Sequence, residues 1–188
     1  MNKNTVFTPR RIAMNAVMIA LYVCLAMLVS ITIGGVRITV RSLPVVFCAV
    51  AFGPVDAALV GFMGEFLSQM LTYGFTATTL LWILPYLLQG LFVGLCARAL
   101  NRRLSVDSLA HKSHSVSLIV ICVISAEIVA GFNTLAFYVD SKMFGYYNYL
   151  MVFGSLWLRA VLGVATGAII AIIVTPVVQA LKKARIIN

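Results

Sequence analysis

The sequence predicts an all-α membrane protein, a bundle of six transmembrane helices forming one integral domain over residues 1–188. Composition is the first observation behind this. Of the residues, 62% are hydrophobic and 10% charged, with a mean hydropathy of +1.05, whereas soluble domains hold about 45–50% apolar and about 25% charged residues. The second is the length of the apolar runs. No acidic or basic side chain occurs from Ile12 to Val36 or from Phe66 to Ala97, and about 20 residues suffice to cross a hydrocarbon core of about 30 Å. The third is the distribution of cations, which fixes orientation and is taken up after the spans.

The first span covers about 12–31, after Lys3, Arg10 and Arg11. A cleavable signal peptide is the rival reading, but the apolar run exceeds an h-region of about 7–15 residues and no small-x-small site closes it. Ala13, Ala16, Ala20 and Cys24 recur at three- and four-residue spacings, with Ala16 and Ala20 forming an AxxxA pair. Such a face admits another helix closely, either a partner protein's or one of this bundle. A short extended outer loop follows in "GGVRITVRSLP", Gly34 to Pro44. Its period-two alternation places Arg37 and Arg41 on one side of a strand or flap. There they either meet solvent and lipid phosphates or hold an anionic ligand under a mobile gate.

The second span, about 43–54, is too short to cross untilted, and Gly53-Pro54 turns the chain into the third, about 56–74. The third carries Glu65, Gln69 and Tyr73 on one helical face. The fourth, about 78–99, carries Trp82, Tyr86 and Gln89 on one face, and Pro85, which frees a backbone carbonyl. Trp82 is either an interfacial anchor or a stacking platform. The fifth, about 115–139, carries Glu127 and Asn133, and the sixth, about 152–179, carries Arg159. A charge at membrane depth costs roughly 2.5–3.5 kcal/mol on insertion scales, so each such residue needs a partner or a cavity. For Arg159 that partner is expected to be Glu65, Glu127 or an anion; for Glu65 and Asn133, bonds that glue the bundle are the competing role.

With the N-terminus inside, the cytoplasmic segments hold ten cations: Lys3, Arg10, Arg11, Arg98, Arg102, Arg103, Lys112, Lys182, Lys183 and Arg185. The outer loops keep Arg37, Arg41 and Lys142. This positive-inside asymmetry places both termini in the cytoplasm. The net charge of +9 therefore reports topology rather than nucleic-acid binding, and His111 and His114 read as polar groups of an inner loop. The four cysteines lie within spans, without CxxC pairing, and read as small apolar fillers. No Walker A loop, GxSxG elbow or HExxH helix is present, which argues against an unaided enzyme. The two halves show no matching pair of Gly/Pro-broken segments, which disfavours a complete secondary transporter. Polar groups gather from the midplane to the outer face on spans three to six. That describes a blind small-molecule pocket rather than a pore lined along its full depth.

The chain resembles the substrate-binding S components of energy-coupling factor (ECF) vitamin transporters. The likeness lies in Ala16 and Ala20, in "VRSLPVVFCAVAFGPVDAALVGFMGE" and in "YGFTATTLLWILPYLLQGLFVGL". It implies a high-affinity vitamin receptor in a prokaryotic plasma membrane. The receptor would associate through its AxxxA face with a membrane coupling protein and two cytoplasmic ATPases, which bind the ATP. No cofactor is implied for the chain itself. "YGFT", Tyr73 to Thr76, resembles a stretch of folate-type members, so folate is the expected ligand. Riboflavin, thiamine, pantothenate or a queuosine precursor is the alternative, and a stand-alone facilitator is the alternative outside the family.

Overall fold

The computed structural model describes residues 8–33, 36–103 and 112–183. Helix α1 (Pro9–Leu28) opens on Thr8, whose hydroxyl accepts the Arg11 N–H, and on Pro9 in its first turn. A two-stranded antiparallel hairpin follows, β1 (Ser30–Ile33) and β2 (Val36–Thr39), in register from Ser30 opposite Thr39 to Ile33 opposite Val36. Helix α2 (Ser42–Ala51) is short and apolar. Its residues from Pro44 to Ala49 are all buried because α1, α3, α4 and α7 surround it. Gly53, at φ +107°, makes the turn that a side chain would strain, and Pro54 begins α3 (Pro54–Tyr73). Helices α4 (Thr79–Arg103), α5 (Lys112–Met143), α6 (Tyr149–Phe153) and α7 (Leu156–Lys183) complete the bundle.

By length and composition four stretches can cross a membrane: Pro9–Leu28, Thr79–Leu100, Val116–Met143 and Tyr149–Val178. Helix α3 has the length but carries Asp56, Glu65, Ser68 and Gln69, and α2 is the short apolar helix. The principal packing pairs are α3 with α4 and α5 with α7. At the α3–α4 seam the backbones touch: a Cβ on Gly90 would lie 2.6 Å from the Ala57 carbonyl, and one on Gly94 would lie 2.4 Å from Pro54 Cα. The core, including Tyr22, Val45, Val46, Val60, Val93 and Val174, centres on α2.

Two expectations change. The last span, read as unbroken over 152–179, is divided at Gly154–Ser155 into α6 and α7; both sides are apolar, so hydropathy carries no trace of the break. The alternation from Val36 onward does not reach Arg41, because β2 ends at Thr39 and Arg41 is the N-cap of α2. Arg37 lies in β2 opposite Thr32, with its side chain outside the described residues. The polar loop at 104–111 with His111, the side chain of His114 and both chain ends also lie outside them.

Candidate ligand-binding site

Helix α1 is fastened to the bundle by polar residues on one face. Near its start, Arg11 pairs with Asp56 and donates to the Phe52 carbonyl at 3.1 Å, and Asn15 Nδ2 donates to Asp56 Oδ1 at 2.8 Å. Two turns after Asn15, the buried Tyr22 hydroxyl donates to Glu65 Oε2 at 2.6 Å. The ring of Tyr22 lies edge-on to Tyr86, with centroids 5.8 Å apart, and presses on Gly64, where a Cβ would stand 2.7 Å from it.

Glu65 is fully buried and takes three further bonds: from Arg41 Nη1 at 3.0 and 3.2 Å to its two oxygens, and from Gln69 Nε2 at 2.8 Å. Glu65 lies eleven residues beyond Pro54, about 16 Å along α3. Helix α2 therefore begins halfway along the bundle, and the hairpin carries the chain to that depth. Arg41 is thus not a cation of an outer rim: it reaches the interior, its guanidinium carbon 4.6 Å from the centroid of Tyr86.

Above this layer lies a cavity of about 1000 Å³. Its wall combines the C-terminal half of α3, α5 from Cys122 onward and the N-terminal halves of α4 and α7 with the start of α2. Of the residues singled out from the sequence, Arg41, Gln69, Tyr73, Trp82, Tyr86, Gln89, Asn133 and Arg159 line it. The carbonyl freed by Pro85 belongs to Leu81, which is not among the lining residues. Glu65 stands behind Arg41 rather than on the wall. Glu127 lies in the α5–α7 seam, its Oε1 buried without a hydrogen-bond partner and 2.5 Å from where a Cβ on Gly163 would be. Neither glutamate pairs with Arg159. That guanidinium donates to Thr134 Oγ1 at 3.0 Å and sits 5.5 Å from the Phe137 centroid, and among the described residues no carboxylate pairs with it.

The aromatic side of the cavity is a row of Trp82, Phe137 and Tyr146, with successive centroids 6.5 and 6.2 Å apart. The polar side is incompletely satisfied. Gln89 Nε2 donates to Ser125 Oγ at 3.5 Å and Asn133 Nδ2 to the Tyr86 hydroxyl at 3.5 Å. Gln89 Oε1, Asn133 Oδ1 and Arg41 Nε are buried with no partner. A buried orphan polar atom costs about 1–3 kcal/mol, so two acceptors and one donor beside a cavity point to a ligand with complementary edges.

Residues not anticipated from the sequence close one end of the cavity. Asp140 accepts from Thr78 and from the Tyr146 hydroxyl, joining the start of α4 to the α5–α6 connection. Burial first, then the hydrogen bond to Asp140 and its charge, push the Tyr146 phenol up to about 12. Tyr22, Asp140 and Thr134 act through partners distant in sequence, and only the spacing of Tyr22 seven residues from Asn15 marks its face in advance. The small residues Ala13, Ala16 and Ala20, with Val17 and Cys24, lie exposed on the opposite side of α1.

An apolar helical bundle enclosing a cavity with aromatic walls and a few unsatisfied polar groups has the anatomy of a membrane protein that binds a small molecule. The family described as "ECF-type riboflavin transporter, S component" matches residues 6–183, nearly the entire chain. The chain belongs to this family, which is one of transporter subunits and not of enzymes. No individual curated protein matches it.

Proposed function

We infer that the chain is the riboflavin-binding subunit of an ECF transporter, a six-passage membrane receptor with both termini in the cytoplasm and the cavity opening outward. The observation that carries the ligand is the set of orphan atoms at the cavity, Gln89 Oε1, Asn133 Oδ1 and Arg41 Nε. The pyrimidine edge of a flavin alternates carbonyl, imide N–H and carbonyl. The N–H suits either amide oxygen, a carbonyl suits Arg41 Nε–H, and Trp82, Tyr86 and Phe137 supply apolar faces for the flat ring. The family description names the same vitamin.

The sidedness rests on the cation asymmetry together with the position of the cavity, whose wall on α4 uses the helix end remote from Arg98, Arg102 and Arg103. The exposed face of Ala13, Ala16 and Ala20 is the surface offered to the membrane coupling protein, with two ATPases behind it. Folate is the second reading. One structural observation favours it: Arg159 lines the cavity without a carboxylate partner among the described residues and suits an acidic tail.

Purified chain in detergent, titrated with riboflavin and followed by quenching of flavin fluorescence, tests the assignment. Saturable binding with folate as a poor competitor supports it, and folate binding far tighter than riboflavin replaces it with the second reading. Uptake into liposomes by the chain alone, without ATPases, would sink the receptor role in favour of a facilitator.

A further inference from the structure

We propose that Glu65 selects the charge of the ligand: by neutralising Arg41 it makes that end of the cavity a directional donor rather than a cationic surface, and so favours an uncharged ring over an anion. This rests on the vitamin-binding reading above. Arg41 touches the cavity and Glu65 does not, so Glu65 acts through Arg41 as a positioning residue.

The geometry separates the two ends of Arg41. Its Nη1 is spent on both oxygens of Glu65, and its flat face lies over Tyr86. Its Nε, by contrast, is buried and unpartnered. Arg41 is one-fifth exposed and Glu65 essentially not at all. Tyr22 and Gln69 complete the bonding of the carboxylate, holding it on the side of Arg41 away from the cavity. A ligand therefore meets a directional N–H donor of a charge-paired guanidinium there. Arg159 is the contrast within the same cavity: it bonds a hydroxyl and an aromatic ring but no described carboxylate, so no ion pair ties its charge to a neighbour as Glu65 ties that of Arg41. The cavity thus holds one arginine paired with a carboxylate and one bonded only to a hydroxyl and a ring. Two arginines that look alike in the sequence thus have different consequences for selectivity.

Removing one member of a neutral pair changes the field felt by an anionic ligand. For a unit charge about 8 Å away at an effective dielectric of about 20, Coulomb's law gives roughly thirtyfold in affinity, and cavity water reduces this toward tenfold. The experiment measures dissociation constants of riboflavin, which is neutral, and folate, which is anionic, for the full chain in detergent. Glu65→Gln leaves Arg41 uncompensated, and the folate-to-riboflavin ratio of dissociation constants is expected to fall roughly tenfold. Arg41→Gln leaves Glu65 uncompensated, and the ratio is expected to rise by a similar factor. The double variant Arg41→Gln/Glu65→Gln is neutral again, and its ratio returns to within about threefold of the wild type.

Opposite shifts in the two single variants, cancelled in the double, are a signature that packing damage cannot produce. Were Glu65→Gln not to fold, the Arg41→Gln and double variants still carry the comparison. A ratio unmoved by either single substitution, or a double variant that keeps a single variant's ratio, overturns the proposal while the vitamin reading stands. Wild-type protein that binds neither compound overturns both.

Discussion

Gly64 is the point where α1 and α3 approach most closely around the Tyr22–Glu65 bond, and the effect of adding one methyl there follows from the geometry. In Gly64→Ala the new Cβ would stand 2.7 Å from Tyr22 Cγ and Cδ1 and 3.0 Å from its Cβ, where carbon atoms prefer about 3.5–4.0 Å. Tyr22 has no free space to retreat into, being fully buried with Tyr86 edge-on beside it. Helix α1 must therefore withdraw by about 1 Å, which stretches the 2.6 Å bond to Glu65 toward the limit of a hydrogen bond. Overpacking costs about 1–3 kcal/mol and a lost interhelical bond about 0.6–1.7 kcal/mol. Alanine's helix propensity returns about 1 kcal/mol. The net loss is about 1–3 kcal/mol, or a fall of about 3–10 °C in Tm for a chain of this size. Thermal unfolding of purified protein followed by tryptophan fluorescence reads it. In a Tyr22→Ala background most of the obstruction is gone, so Gly64→Ala should be neutral or stabilising. An equal loss in both backgrounds would refute the reasoning, since the cost would then not come from Tyr22.

Four other outcomes are expected. Asp56→Ala takes the carboxylate from Arg11 and Asn15 and leaves Arg11 the Phe52 carbonyl; with Arg11 about one-third exposed the loss is discounted to about 2 kcal/mol, read as a lower Tm. Arg159→Met should leave riboflavin affinity within about threefold and weaken folate roughly tenfold in competition assays; equal effects on both would deny it a charge role. Ala16→Trp and Ala20→Trp should keep ligand binding and abolish ATP-driven uptake in vesicles containing the partner subunits, whereas lost binding would mean the face packs internally. Tyr146, raised to about 12 from an ordinary value near 10, stays protonated in the folded chain while an unfolded tyrosine ionises. Its contribution is complete below pH 10 and is lost as pH rises through about 12. Phenolate absorbance near pH 12 should lose one tyrosine's amplitude in Tyr146→Phe.

The elements legible in the sequence are those bounded by strong backbone signals. Gly53-Pro54 marks the α2–α3 turn because one residue supplies a positive φ and the next a preset helical φ. The face shared by Trp82, Tyr86 and Gln89 follows from helical spacing alone, and all three line the cavity. What escaped was depth. A period-two pattern cannot announce that its strand stops at Thr39, so it places Arg41 in the outer loop, whereas the fold brings it to Glu65. Pairings across 24 and 43 residues, Arg41 and Tyr22 with Glu65, depend on how far the hairpin enters the bundle, which no local spacing encodes. Charge calls for charge, so the sequence points Arg159 to a carboxylate or an anion, yet the structure supplies Thr134 and Phe137. In a polar cavity a hydroxyl and a ring suffice.

Helix α1 bonds to the rest of the bundle through Arg11, Asn15 and Tyr22 on one side, while Ala13, Val17, Ala20 and Cys24 face outward on the other. Lipid tails against that outer side can therefore be exchanged for another protein's side chains without breaking any of those three fastenings. Association there trades one apolar solvent for another, and its free energy comes from closeness of fit at the alanines rather than from dehydration.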